Sequence, residues 1–141
     1  MKERVIALGF FDGVHLGHGA LLRRAAEEAA LRGCTPAVFT FDRPPKEVVT
    51  GVPCPLINSP EDRRDLVRRL YRIQDVLMVP FDREMMTTPW DDFIVRILVG
   101  RYQAVHLVAG HDHHFGHRNQ GTPELLAQKC AQLGLGCDII P

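Results

Sequence analysis

Hydrophobic positions along the chain alternate between two spacings. Compact apolar runs of strand length lie at 4–11, 35–41, 75–81, 104–109 and 137–140. Between these runs, apolar residues recur every three or four positions, as on one helix face, at 15–32, after 59, after 88 and at 122–133. The order β-α-β-α-β-α-β-α-β predicts an α/β fold with a mostly parallel sheet of about five strands and helices on both faces.

Local signals place the ends of these elements. Asn58 or Ser59 can cap a helix that has Pro60 in its first turn, and Thr122 precedes a proline in the same way. Residues 42–58 are rich in proline and predict an irregular loop. We expect the apolar faces of the first two helices to contain Leu16, Ala20, Leu21, Ala25, Ala29 and Leu31, and Leu66, Leu70 and Ile73.

Two unusual loops follow predicted strands. The first covers 11–18, and the second, at 110–121, is rich in histidine. Ligands of parallel sheets bind at the carboxyl ends of the strands, so we expect both loops to lie on the same edge of the sheet.

Composition narrows the class of protein. A chain of 141 residues with 17 basic and 17 acidic side chains is of single-domain size and has no basic excess, which argues against a nucleic-acid binder. No apolar run is long enough to span a membrane, and the N-terminus does not resemble a signal peptide. The four cysteines form no Cys-x-x-Cys pair, as expected of reduced cysteines in a cytoplasmic protein.

The stretch GFFDGVHLGH, residues 9–18, lies where the first strand meets the first helix. Free backbone N–H groups and the positive end of the helix dipole favour a phosphate group at such a junction. Gly13 and Gly17 would permit close approach, and His15 and His18, three residues apart, could donate hydrogen bonds from one helix face. The chain has neither Gly-x-Ser-x-Gly nor the Gly-x4-Gly-Lys-Ser/Thr motif.

This stretch closely resembles the first motif of the bacterial FAD synthetases, in their N-terminal FMN adenylyltransferase domain. The resemblance continues through VFTFDRPPKEVV, LINSPEDRRDLV, VLMVPFD, WDDFIVRILV and VHLVAGHDHHFGHRNQGTPELL. It implies a cytoplasmic protein with the Rossmann-like three-layer fold of the His-x-Gly-His nucleotidylyltransferase superfamily. The implied substrates are ATP and FMN, the implied products are FAD and pyrophosphate, and Mg²⁺ accompanies ATP. His15 and His18 match the family's catalytic histidines, and Phe115 and Gly116 match its second loop. The nucleotide-binding residues implied are Gly9, Phe10, Phe11, Asp12, Gly13, His15, Gly17, His18, Gly110 and Asp112.

The sequence departs from the family pattern at identifiable positions. Pro44 stands where the family usually has a histidine after the second strand, and His113 replaces an aromatic residue. The chain stops before the expected Ser-Thr-x-x-Arg segment. We therefore expect residues 1–141 to be an adenylyltransferase-like domain that either is a truncated piece of a longer parent, with a riboflavin kinase domain further downstream, or has lost part of its site. Two alternatives stay open: a nucleotidylyltransferase acting on another phosphorylated acceptor, and a non-catalytic nucleotide-binding module.

Three further groups of residues allow more than one interpretation. The histidines at 111, 113, 114 and 117 resemble imidazole metal ligands, but their loop spacing favours solvated or substrate-facing side chains, and no metal site is assigned. The helix after Ser59 contains five arginines that predict an exposed basic face rather than an anion-binding surface, namely Arg63, Arg64, Arg68, Arg69 and Arg72. Trp90 and Phe93 have the periodicity of core residues rather than of base-stacking residues.

Overall fold

The strands form one parallel sheet. The fold is given by a computed structural model that describes residues 2–11, 16–56 and 58–141, without the side chains of residues 16–18. Within this part of the chain, five strands pair in the order β3-β2-β1-β4-β5, and every pairing is parallel. The strands are β1 (Arg4–Leu8), β2 (Thr35–Phe41), β3 (Asp75–Val79), β4 (Ala104–Gly110) and β5 (Gly136–Ile140). The α/β prediction is therefore confirmed.

Helical segments connect the strands. They are α1 (Leu16–Arg32), α2 (Pro45–Thr50), α3 (Pro60–Tyr71), α4 (Arg83–Met86), α5 (Trp90–Asp92) with a π-helix (Phe93–Arg101) directly after it, a 3₁₀ turn (His117–Asn119) and α6 (Pro123–Leu133). Both predicted caps are present, because Ser59 Oγ accepts a hydrogen bond from the N–H of Asp62 at 3.1 Å and Thr122 Oγ1 accepts one from Leu125 at 3.2 Å. None of the described helices has the length and apolar character that a membrane span requires.

Strand residues alternate between two separate hydrophobic clusters, which gives the domain three layers. Val5 and Ala7 of β1 pack under α1 and α3, whereas Ile6 and Leu8 pack under the π-helix and α6. Apolar side chains of neighbouring strands follow the same alternation, as expected for a sheet covered on both faces. This Rossmann-like arrangement leaves the carboxyl edge of the sheet to the connecting loops.

Several local predictions are wrong. The segment 42–58 is not wholly irregular, because Pro44 and Pro45 start α2 and Gly51, at φ 73°, ends it. β1 ends at Leu8 rather than at residue 11, and β3 ends at Val79 rather than at residue 81.

Two assignments of helix faces are also wrong. Leu31 is 82% exposed and Leu70 is 60% exposed, so neither belongs to the core. On α3 the buried positions are Arg63 and Val67, one helical turn apart. The prediction that Arg63 lies on the exposed basic face of this helix is therefore wrong. Phe93 is buried, as its periodicity predicted.

Candidate functional site

The backbone leaves the strand conformation immediately after β1. Phe11 has a left-handed backbone conformation, φ 61°, and its ring is 1% exposed. That ring lies over Gly9, where an added Cβ would come within 2.7 Å of Phe11 Cζ, so only glycine leaves room for it. Because the ring points into the core, a ligand could contact Phe11 only through its backbone.

Most of the predicted catalytic motif lies beyond what the structure describes. Asp12, Gly13 and His15 are outside the described residues, and so is the side chain of His18. The backbone of Gly17 and His18 forms the first turn of α1, as predicted. The first turn of a helix carries backbone N–H groups without helical partners, so this end of α1 can bind an anion.

The second predicted loop begins at the same edge of the sheet. β1 and β4 are adjacent and parallel, so their carboxyl ends, followed by the two loops, lie side by side. A Cβ at Gly110 would lie 3.1 Å from Asp112 Oδ1 and 3.8 Å from Leu21 Cδ1. Asp112 thus comes close to α1 across the glycine that ends β4. The strands that precede the two predicted loops end at one edge of the sheet, as predicted, whereas residues 12–15 of the first loop lie outside the described residues.

The loop after β4 is held by backbone contacts on both sides. Phe115 and Gly121 exchange two backbone hydrogen bonds, with N···O distances of 3.2 and 2.8 Å. Gly116, at φ 79°, packs against the backbone of Trp90, and His117 donates its N–H to the carbonyl of Thr88 at 2.8 Å. These contacts fix the loop to the start of α5.

His113 occupies the position at which the family that this sequence resembles has an aromatic ring. Its imidazole stacks on Phe115 with 5.9 Å between ring centroids and 15° between planes. Burial lowers the pKa of His113 to about 4, although the Asp112 carboxylate opposes this shift. At neutral pH the ring is therefore an uncharged aromatic surface.

The loop histidines do not form a metal site among the described residues. There, three potential ligand atoms come within 4.8 Å of one another only at Glu28, His106 and Asp138. His106 Nε2 lies 2.9 Å from Asp138 Oδ2, and arginines already pair with both carboxylates, Arg24 with Asp138 and Arg32 with Glu28. The buried Nδ1 of His106 has no hydrogen-bond partner among these residues, unlike most metal-bound histidines. We interpret this cluster as an ion-pair network.

Sequence reasoning missed two polar side chains at the carboxyl edge. Thr40 Oγ1 donates to the carbonyl of Phe10 at 2.8 Å, and Arg63 Nη1 donates to the same carbonyl at 2.9 Å. Both side chains are at most 2% exposed. The available signal was the i, i+4 pair of Arg63 and Val67, which places an arginine on the apolar face of α3.

The residue that replaces the family's histidine, Pro44, has a well-defined position. Pro44 is the N-cap of α2, with φ −62° and ψ 126°. Just before it, Asp42 donates its backbone N–H to Val79 at 3.1 Å, and its carboxylate accepts the N–H of Phe81 at 3.1 Å. The loop after β2 is thus tied to the end of β3.

A five-stranded parallel sheet in which β1 and β4 end side by side places the chain in the class of Rossmann-like α/β domains. Comparison with known proteins then narrows this class. The FAD synthetase family model matches residues 1–141, and the chain belongs to that family.

Curated relatives agree with this assignment. The chain is 32% identical to the bifunctional riboflavin kinase/FMN adenylyltransferase of Listeria monocytogenes, over 89% of this chain and 40% of the relative. It is 35% identical to the protein of the same name from Escherichia coli K12, over 96% of this chain and 42% of the relative. The chain thus spans about two fifths of the length of these relatives.

Solved structures support the fold. A Streptococcus pneumoniae protein described as a macrolide-efflux protein superposes with a TM-score of 0.83 at 25% identity, over 99% of this chain and 45% of that one. A lipopolysaccharide core biosynthesis protein from Thermoplasma volcanium has a TM-score of 0.58 at 20% identity, over 99% of this chain and 95% of that one, and supports the fold alone.

Proposed function

We propose that this chain is an FMN adenylyltransferase domain. The FMN phosphate oxygen forms a bond to the α-phosphorus of ATP, the bond from that phosphorus to the bridging oxygen breaks, and pyrophosphate leaves as FAD forms. Membership of the FAD synthetase family carries this proposal. The adjacent carboxyl ends of β1 and β4 support it, because the reaction needs two phosphorylated substrates held together at one edge.

The residues supply positioning and electrostatic stabilisation rather than a covalent intermediate. In the proposal, the first turn of α1 directs backbone N–H groups and the helix dipole at the ATP phosphates. His15 and His18 donate hydrogen bonds to the phosphoryl oxygens as charge develops on them. Mg²⁺ enters as part of the Mg²⁺–ATP substrate, and no described side chain is assigned to it.

The β4 loop forms the other wall of the proposed site. Gly110 lets Asp112 approach α1, where its carboxylate can accept hydrogen bonds from the nucleotide. The stacked pair of His113 and Phe115 supports this part of the loop from the hydrophobic side. The loop is attached to the start of α5, so it is preorganised for a ligand.

One observation keeps a second acceptor under consideration. Pro44 caps α2 and has neither a side-chain donor nor a titratable group, unlike the histidine usual in the family. A transfer of the adenylyl group to a phosphorylated acceptor other than FMN would fit the same phosphate machinery.

Product analysis separates these functions. The purified chain is incubated with Mg²⁺–ATP and FMN, flavins are separated by chromatography, and pyrophosphate is measured in parallel. We expect equal amounts of FAD and pyrophosphate. Pyrophosphate formed with another phosphorylated acceptor but not with FMN would identify the second function. Calorimetric binding of ATP without any turnover would identify a binding module instead.

Substitution of His18 tests the assigned mechanism. We expect His18→Ala to lower turnover about 10²–10³-fold, the range for removal of one preorganised donor, with a smaller effect on ATP affinity. His18→Asn keeps a donor of similar size and should fall between wild type and His18→Ala. Leu31→Ala, at an exposed position near the other end of α1, is the matched control and should leave turnover unchanged. Wild-type turnover in His18→Ala would remove the catalytic role.

A further inference from the structure

Arg63 is a buried cation that reaches the ends of two strands. It lies in the first turns of α3, is 1% exposed, and its Nη1 donates to three acceptors: Phe10 O at 2.9 Å, Thr40 Oγ1 at 3.0 Å and Phe41 O at 2.9 Å. The guanidinium carbon also lies 4.2 Å from the centre of the Phe10 ring. One side chain therefore links α3 to the carboxyl ends of β1 and β2.

Thr40 completes this contact. Its hydroxyl donates to the carbonyl of Phe10 at 2.8 Å while accepting from Arg63. The Phe10 carbonyl thus has two donors, which is its full acceptor capacity. We call the Phe10 carbonyl, Thr40 Oγ1 and Arg63 Nη1 together the Phe10 anchor.

Burying a guanidinium is expensive in itself. An arginine keeps its charge in any protein environment, and the loss of its hydration can exceed the gain from its new contacts. A well-packed apolar side chain would join α3 to the sheet at least as stably. What Arg63 adds is direction, because hydrogen bonds to three acceptors fix the ends of β1 and β2 relative to each other.

The anchored carbonyl precedes an unfavourable backbone conformation. Phe11 is left-handed at φ 61°, which an L-residue with a bulky side chain adopts only where its surroundings impose it. The surroundings here are the anchor on one side and the core around the Phe11 ring on the other. Residues 12–15 follow directly, and α1 begins at Leu16.

We propose that Arg63 and Thr40 are positioning residues that fix the backbone of Phe10 and Phe11, the last described residues before the phosphate-binding first turn of α1. They act through the Phe10 carbonyl and not on the substrate. The assignment of phosphate binding to this turn rests on the proposed function. In this role the anchor matters most in the transition state, because a displacement of about 1 Å in a catalytic group can lower a rate about 100-fold.

Threonine variants test the anchor without removing a buried charge. Thr40→Val deletes the hydroxyl at nearly constant volume, and Thr40→Ser retains it. Arg63→Met removes the guanidinium, and Arg69→Met does the same at an exposed position of α3, where Arg69 pairs with Asp65. Unfolding curves establish the folded fraction of each variant before any other measurement.

Amide hydrogen exchange reports the anchor independently of activity. In Thr40→Val and Arg63→Met we expect peptides covering residues 9–20 to exchange at least about tenfold faster, while peptides from β4 and α6 keep wild-type rates. Thr40→Ser and Arg69→Met should match wild type throughout. Wild-type exchange over residues 9–20 in folded Thr40→Val would overturn the proposal, and this variant decides the question if Arg63→Met does not fold.

Kinetics then separates positioning from plain stabilisation. Per folded molecule, we expect Thr40→Val to lower kcat about 10–100-fold while changing the KM for ATP less than about threefold, with Thr40→Ser restoring kcat. A merely structural role would lower the unfolding midpoint and leave kcat per folded molecule unchanged, which would overturn the proposal. If the wild-type chain makes no FAD, the proposed function fails, and the exchange measurement still decides on the anchor.

Discussion

Replacing Gly116 by alanine should destabilise the loop that follows β4. Gly116 has φ 79° and ψ 179°, a backbone region that only glycine occupies readily. A Cβ at this position would lie 2.6 Å from Trp90 Cα and 2.9 Å from Trp90 N. Those are backbone atoms at the start of α5, so no side-chain rotation can relieve the overlap.

The expected loss of stability in Gly116→Ala is the sum of two contributions. The backbone conformation costs about 1–3 kcal/mol for a residue other than glycine. Overlap with fixed atoms in a packed region adds about 1–3 kcal/mol. The free energy of unfolding should therefore fall by about 2–6 kcal/mol, and the hydrogen bond from the His117 N–H to Thr88 should weaken, because it is adjacent to the displaced residue.

Gly134→Ala is the matched control. Gly134 also has a positive φ of 74°, but it ends α6 and an added Cβ would meet nothing within 4 Å. Left-handed alanine costs about 1–2 kcal/mol, partly offset by the lower entropy of the unfolded chain. Urea unfolding followed by circular dichroism compares the two, and hydrogen exchange over 110–121 detects a loss confined to the loop. If both measurements give equal effects for Gly116→Ala and Gly134→Ala, the reasoning is refuted.

Three other predictions concern titratable and crowded side chains. Burial lowers the pKa of His113 from 6.5 to about 4, so its contribution to the free energy of unfolding is complete above pH 6.5 and is lost as the pH falls towards 4. Between pH 7.5 and pH 4.5, the free energy of unfolding measured in urea should therefore fall by about 2 kcal/mol less in His113→Phe than in wild type. A hydrogen bond between the two thiols raises the pKa of Cys130, which is fully buried, and lowers that of the half-buried Cys137, so iodoacetamide should alkylate Cys137 well before Cys130, as peptide mapping would show; equal labelling of the two would contradict this. Gly136→Ala would place a Cβ against the His106 ring and should cost about 1–3 kcal/mol in thermal or urea unfolding; an unchanged midpoint would contradict this packing.

Signals carried by a few neighbouring residues were sufficient for much of the fold. Ser59 followed by Pro60, and Thr122 followed by Pro123, each place a hydroxyl where the first helical N–H groups need an acceptor, and the structure has both bonds. The alternation of strand and helix patterns also predicted correctly that β1 and β4, which precede the two loops, would end at the same edge.

Features that depend on distant residues could not be predicted in this way. Phe10 and Phe11 extend an apolar run and so resemble the end of a strand, yet β1 stops at Leu8 because the Phe11 ring folds back over Gly9. An arginine between charged neighbours resembles a solvated residue, yet Arg63 is buried because three acceptors from other elements meet it. The catalytic roles of His15 and His18 stay predictions.

The position of β1 beside β4 has a consequence for the order of folding. Arg4 pairs with Ala104, so this central pairing closes a loop of about 100 residues, whereas β1 and β2 are joined through a single helix. Loop-closure entropy rises with chain length, and pairings between distant residues form slowly. The two halves of the sheet, β1–β2–β3 and β4–β5, can each form from contacts between residues close in sequence before the seam between them, the β1–β4 pairing, forms. Because the candidate site straddles the seam, we expect it to be absent from any partly folded state and to be assembled in the last step.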